Sequence, residues 1–178
     1  MKKIIEKILV ALFGKMAYGI VYLAKKYNTQ RMKKRAHLHP SVVLGDVYLD
    51  KNVFIGENTY FNSGQVYAGE NSKVVIGKNC AIGYNVRIKA RTHNPLNAAA
   101  ADDGKKHERI EADIFIGDGV WIGDNVFVKH GITIGNDAVV GANSVVTKDI
   151  PEGKVAAGVP ARILYDKHEE QKKASSNN

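Results

Sequence analysis

The chain has a single cysteine, Cys80, among its 178 residues. No intramolecular disulfide can form, which fits a reducing compartment. Long apolar runs are missing too. Lys15 interrupts the most hydrophobic region, so no stretch reaches membrane-spanning length. Glu6 and Lys7 break the same region earlier and no small-x-small site follows, which argues against a signal peptide. Acid is scarce at the start. Residues 1–36 hold ten Lys/Arg and one acidic residue, Glu6, so the formal charge of +8 belongs to this segment. Lys25, Lys26, Arg31, Lys33, Lys34 and Arg35 carry most of it. The rest of the chain is close to charge-balanced, and no aromatic-and-basic surface follows, which excludes a nucleic-acid platform.

What is present is a period. Ile116, Ile122, Val128, Ile134, Val140 and Val146 are aliphatic and spaced by six. Four places after each stand Val120, Val126, Ile132, Ala138, Ser144 and Ile150, small or aliphatic. Gly117, Gly123, Gly135 and Gly141 follow four of the leads. Upstream, Ile76, Ile82 and Ile88 repeat the spacing, with Cys80, Val86 and Thr92 four places on, and Ile55 with Phe61 starts another run. On an α-helix six-residue spacing scatters the aliphatics around the surface. It fits a short strand plus a tight turn, with the lead pointing inward. Asn58, Asn79, Asn85, Asn125 and Asn143 fall in the turn slots, where positive φ is tolerated. Stacked units of this kind predict a parallel β-helix. Cys80 then points inward and reads as a core filler, not a nucleophile.

Two interruptions break the register. Phe61 to Ile76 is fifteen residues, which predicts a turn or bulge within 64–73. The larger one, 93–113, is polar, contains four alanines at 98–101 and predicts a protruding loop. Before Pro40, residues Ile5, Ile8, Leu9, Leu12, Phe13, Met16, Ile20 and Leu23 recur at threes and fours as an amphipathic helix. Two readings of it stay open: packing on the β-helix or its oligomer, or resting on anionic lipid. The expected organisation is a basic helical extension (1–39), a β-helix domain (40–164) and a polar tail (165–178), without structure from Glu169 onward.

His93 opens the long loop in Arg91-Thr92-His93-Asn94-Pro95. A histidine in such a place can act as a general base, since imidazole titrates in the right range. A lone histidine is more often structural, so His93 by itself does not decide the chemistry. Asn62 is either a turn residue or an amide that holds an acceptor hydroxyl. Trp121, the only tryptophan, faces outward, suited to covering a ligand or to packing on the loop or a neighbouring subunit. His93, His107 and His130 are spread over one region, but His107 stands near Lys105, Lys106 and Arg109, so no metal is expected. His37 and His39 read as structural.

The most specific motif runs Gly141-Ala142-Asn143-Ser144-Val145-Val146-Thr147-Lys148-Asp149-Ile150-Pro151, then Ala156-Ala157-Gly158-Val159-Pro160-Ala161-Arg162. It closely resembles the C-terminal signature of the hexapeptide-repeat acyltransferases, nearest the maltose/galactoside and polysaccharide O-acetyltransferases. The resemblance covers roughly residues 40–164. It implies an all-β fold, a left-handed parallel β-helix with an N-terminal amphipathic helical extension; the period alone does not give the hand. It implies acetyl-CoA as co-substrate, a homotrimer and an active site between subunits. In the family a histidine heading the interrupting loop is the general base, and His93 matches that position, although Thr92 stands where sugar acetyltransferases often carry Gly. Asn62 resembles the family's acceptor-site Asn, and Trp121 stands in the unit where the family carries Trp. Asp124, Ala142 and Thr147 match positions lining the CoA groove, and Gly123 and Gly141 let the backbone approach the ligand. Lys148 and Arg162 supply cations for the CoA phosphates.

The expected function is acetyl transfer to a hydroxyl of a sugar or surface-polysaccharide precursor, in the cytoplasm; peripheral contact of residues 1–36 with the inner face of the membrane is one of the two open readings of the helix. An N-acetyltransferase acting on an amino sugar or nucleotide-linked amino sugar is the alternative, though no separate nucleotide-binding domain precedes the repeats. A zinc hydratase and a scaffold that binds no CoA are further rivals.

Overall fold

The computed structural model describes residues 2–97 and 108–176. The six-residue period closes into a three-sided coil. Ile116, Ile122 and Val128 end the strands Ile114–Ile116, Trp121–Ile122 and Phe127–Val128, one on each face. Ile134, Val140 and Val146 pair with them in parallel, so 18 residues complete one coil. On the other side Ile76, Ile82 and Ile88 pair with the same three residues. All nine are at most 2% exposed. Burying each such side chain is worth about 1.5–3 kcal/mol, which is why like stacks on like along the axis.

The corners need backbone that most residues resist. Asn58, Asn79, Asn85, Asn125 and Asn143 all have φ between 53° and 59°, as their turn slots predict. At one corner they also bond to each other. Asn85 Nδ2 donates to Asn125 Oδ1 at 2.9 Å, and Asn125 Nδ2 donates to Asn143 Oδ1 at 3.2 Å. The side chain that tolerates the turn thus also ties coil to coil.

The first irregular stretch has two parts. Strand Tyr60–Tyr67 runs straight across two faces, pairing first with Ala81–Ile82 and then with Val86–Lys89. Gly64 (φ 141°) lies at the crossing, where a Cβ would collide with the Val86 carbonyl oxygen. A turn follows, in which Ser72 Oγ accepts the Gly69 N–H at 2.8 Å. The expected turn or bulge is therefore both a shortened corner and a longer turn.

The long loop leaves the third face after Val86–Lys89. Its base is an antiparallel pair, Arg91–His93 against Arg109–Glu111. The alanines at 98–101 and His107 lie outside the described residues. Helix α1, Lys2–Arg35, meets the first coil through the strands His37–Leu38 and Val43–Leu49. Leu12, Phe13, Met16, Ile20 and Leu23 are all more than half exposed, so this face is not covered by the chain's own β-helix.

The tail departs from expectation. Lys154–Gly158 pairs antiparallel with Ala161–Asp166, and a helix α2, Lys167–Ser176, follows where an unstructured segment was expected. Its start explains it. Asp166 Oδ1 accepts the N–H of His168 at 2.8 Å and of Glu169 at 3.3 Å, an N-cap, and Glu169 and Glu170 favour the first turn. Asp166 Oδ2 pairs with Lys154 Nζ at 2.7 Å. That bond from Lys154, helped by the two backbone N–H groups, pulls the Asp166 carboxyl from 3.8 down to about 2. A carboxyl whose folded pKa is depressed stabilises above its unfolded pKa, and the contribution fades as pH falls toward the folded value. The His168 and Glu169 amide shifts, followed by NMR, should therefore titrate with a midpoint near 2; a midpoint at 3.8 would show that the cap carries no such interaction.

Candidate active site

Thr92 and His93 end the rigid coil and begin the loop. Asn94 fixes that junction: its N–H donates to the Glu108 carbonyl (3.1 Å), its Nδ2 to Glu108 Oε2 (3.0 Å), and its Oδ1 accepts the Leu96 N–H (3.0 Å). His93 is exposed at a cavity of about 210 Å³ lined by Tyr67, Lys89, Arg91, Thr92, His93 and Arg109. A base that must reach a diffusing acceptor needs such a place: open to solvent, on a short strand, hydrogen-bonded to a rigid body.

The cavity wall is cationic and aromatic. The Lys89 ammonium lies 5.3 Å and the Arg91 guanidinium 5.8 Å from the centre of the Tyr67 ring. Tyr67 packs on Tyr48, with ring centroids 5.2 Å apart. Behind Arg91, Asp50 Oδ2 lies 3.6 Å from Nη2. Asp50 Oδ1 accepts the Tyr48 hydroxyl at 3.0 Å. None of Tyr67, Lys89, Arg91 and Asp50 stands out in the sequence as a site residue. The only linear signal is that Lys89, Arg91 and Arg109 bracket the loop at its two ends.

The other expected site residues do not join His93 in this cavity. All but Trp121 and Arg162 fall along the two long edges of the third face. One edge carries Asn62, half-buried, in line with Gly123 and Gly141 through the backbone bonds Ser63 N to Gly83 O, Gly83 N to Ile122 O and Gly123 N to Val140 O. Asp124 and Ala142 follow on the same edge and are exposed. Asp124 already has a structural duty, since its Oδ1 accepts the Tyr84 N–H at 2.7 Å. Gly123 is required by the neighbouring coil, because a Cβ there would lie 2.7 Å from the Ala142 nitrogen. Thr147 and Lys148 lie on the opposite edge, the one that carries Lys89 and the loop. Parallel strands about 4.8 Å apart put Lys148 about 10 Å along the axis from the level of Lys89. Trp121 is 57% exposed on the second face, between Ala81 and Val139. Arg162 is exposed on the last strand, with Nη1 donating to the Ala161 carbonyl at 3.1 Å.

Cys80 is buried, and its Sγ donates to the Gly117 carbonyl at 3.1 Å. Burial pushes its thiol pKa up, so it is a poor nucleophile. His130 is half-buried at the third corner, and burial lowers its pKa, with Lys129 adding to the effect. Among the described residues no three His, Cys, Asp or Glu side chains come together as a ligand set.

Comparison with known proteins gives the family and the fold. Residues 113–148 match the family model for the bacterial transferase hexapeptide (six repeats). The galactoside O-acetyltransferase of Escherichia coli K12 is 39% identical over 121 residues, 68% of this chain and 57% of that protein. The polysialic acid O-acetyltransferase of Escherichia coli O1:K1 is 36% identical over 126 residues, 70% of this chain and 40% of that protein. The chain thus spans about half the length of the curated relatives it matches. A hexapeptide-repeat acetyltransferase of Vibrio cholerae O1 biovar eltor, solved with acetyl coenzyme A, superposes with a TM-score of 0.62 at 34% identity, covering 72% of this chain and 69% of that one. With its period closed into three-sided coils and one third of its residues shared over most of a solved relative, the chain belongs to the hexapeptide-repeat acyltransferases and has their left-handed parallel β-helix.

Proposed function

We propose that this chain transfers an acetyl group from acetyl-CoA to a hydroxyl of a sugar-like acceptor, with His93 as general base. The observation that carries the reading is the position of His93: exposed, on a strand at the junction of rigid coil and loop, and facing a cavity. The imidazole takes the proton of the acceptor hydroxyl, whose oxygen attacks the thioester carbonyl. The tetrahedral intermediate collapses with loss of the CoA thiolate, which receives the proton from the imidazolium. No covalent enzyme intermediate is needed, and the buried Cys80 supplies none. Thr147 and Lys148 lie on the edge that leads away from His93, which suits a pantetheine arm running along the coils toward phosphate-binding cations.

The division of the site between two edges supports a homotrimer. A neighbouring copy that packs its Asn62–Gly123–Gly141 edge against the His93 edge of this chain assembles a groove that one chain lacks. Asn62 and Trp121 then approach the acceptor from the partner, with Asp124 and Ala142 lining the CoA path and Arg162 adding a cation.

Helix α1 suits an anionic bilayer surface at the inner face of the membrane. Leu12, Phe13, Met16, Ile20, Leu23 and Tyr27 are exposed and spaced by threes and fours on one side, in a segment with ten basic residues and one acid. No helix among the described residues is long and apolar enough to cross a membrane, so the helix lies on the surface.

Each part of the reading has its measurement. His93→Ala should lower acceptor-dependent thiol release at least ~100-fold while calorimetry finds acetyl-CoA affinity unchanged; near-normal turnover removes the mechanism. Lys148→Ala combined with Arg162→Ala should weaken acetyl-CoA binding about tenfold or more without changing the oligomer in sedimentation, in line with loss of two charge-assisted contacts; unchanged affinity moves the phosphate site elsewhere. The full chain should co-sediment with vesicles containing phosphatidylglycerol and not with phosphatidylcholine alone. Ile20→Glu with Leu23→Glu should abolish this; persistent binding by that variant overturns the lipid reading.

A further inference from the structure

We infer that the acceptor is an acidic sugar, whose carboxylate or phosphate sits beside His93 against Lys89, Arg91 and Arg109. The inference rests on the reading of His93 as the base and adds the substrate class.

Strand geometry brings the charges together. Arg91 and His93 are two residues apart on one strand, so their side chains leave the same side of the ribbon. Arg109 stands directly opposite His93 in the antiparallel register, so it shares that side. Lys89, one strand earlier, reaches the same cavity across the Tyr67 ring. The base is therefore flanked by two guanidiniums, with an ammonium close by.

Among the described residues no acidic side chain lines the cavity. The carboxylates around its base are engaged elsewhere. Glu108 accepts from Asn94 Nδ2 at 3.0 Å, and Glu111 accepts the Asn71 N–H at 2.8 Å. Asp50 approaches only Arg91, at 3.6 Å, from behind the wall. Lys89 and Arg109 have no carboxylate partner among the described residues. Lys89 and Arg91 are half-buried, so water screens them less than surface charges, and both converge on one ring. Like charges lining one cavity repel, and an anion in it relieves that repulsion while making charge-assisted hydrogen bonds. With a neutral sugar, Lys89 and Arg109 keep no carboxylate partner among the described residues, and Arg91 keeps only Asp50.

The anion belongs to the acceptor for a chemical reason. The reacting thioester lies at His93, and the pantetheine arm keeps the CoA phosphates many bonds away from it. A carboxylate or phosphate on the sugar bearing the reacting hydroxyl lies within a few bonds of it.

The test compares acceptors that differ only in charge, using thiol release by the full-length protein. Galacturonic acid is paired with galactose for a carboxylate, and glucose 6-phosphate with glucose for a phosphate. The charged member of at least one pair should have kcat/KM at least ~10-fold higher, with the advantage shrinking as salt rises. Which pair shows it identifies the anion. Lys89→Gln with Arg109→Gln should bring the charged-to-neutral ratio to about one, through KM, while acetyl-CoA affinity in calorimetry stays at the wild-type value. Arg109→Lys, which keeps the charge, should retain most of the preference. Equal or better use of neutral sugars by the wild type overturns the inference, as does weakened acetyl-CoA binding in the double variant, which would assign these cations to CoA. Direct calorimetry with the preferred acid separates the two layers. Binding that His93→Ala retains and the double variant loses supports the anion site whatever the turnover of His93→Ala. Normal turnover by His93→Ala would then sink the base assignment alone.

Discussion

Coil-to-coil hydrogen bonding sets the terms for everything else in this molecule. Each strand bonds to the strand one coil away, about 4.8 Å along the axis, so side chains in register lie within contact of their equivalents. That distance admits aliphatic side chains stacked inward, small residues beside the corners and almost nothing bulky where backbone meets backbone. Gly123 against Ala142 is one consequence, and the asparagine ladder from Asn85 through Asn125 to Asn143 is another. This ladder lies on the exposed side of the corner, where each amide finds the next one at hydrogen-bond distance.

The same ladder makes the β-helix a rigid mount for a cavity that it only partly lines. The cavity forms where the repeat is broken, after Val86–Lys89, and the two chain segments that leave and rejoin the body pair as a short antiparallel ribbon. Pairing places His93 opposite Arg109 and in phase with Arg91, while stacking on the third face places Lys89 above Tyr67. His93 and its charged surroundings thus come from two kinds of strand pairing that meet at one corner. Asn94, bonded twice to Glu108, ties the loop to the ribbon immediately beyond the histidine.

The two ends of the chain meet different demands. Helix α1 carries Leu12, Phe13, Met16, Ile20 and Leu23 outward, a state that water penalises and that a bilayer surface or a second protein relieves. Helix α2 buries no side chain and is sustained by its cap, its first-turn acids and the Lys173–Glu170 pair. Closing the last coil with the antiparallel strand Ala161–Asp166 caps that end of the solenoid.

The amino-acid sequence by itself determined the solenoid, its core and its corners. A six-residue period is a local property, and Ile116 to Val146 together with the corner asparagines specify strand, turn and inward face without reference to anything distant. It also located His93 at the head of the loop, because the repeat stops there. It did not reveal α2, since the cap at Asp166 depends on a strand pairing that first brings Lys154 alongside. Nor did it reveal the cationic cavity. Tyr67, Lys89 and Arg109 are far apart in the chain and look like ordinary surface residues, and only the phase of the coils and the register of the loop's ribbon bring them to one point. The separation of Asn62 and Gly123 from His93 was likewise decided by tertiary structure, because which edge of a three-sided coil a residue occupies depends on where the chain turns corners, and one shortened corner at Gly64 shifts that count.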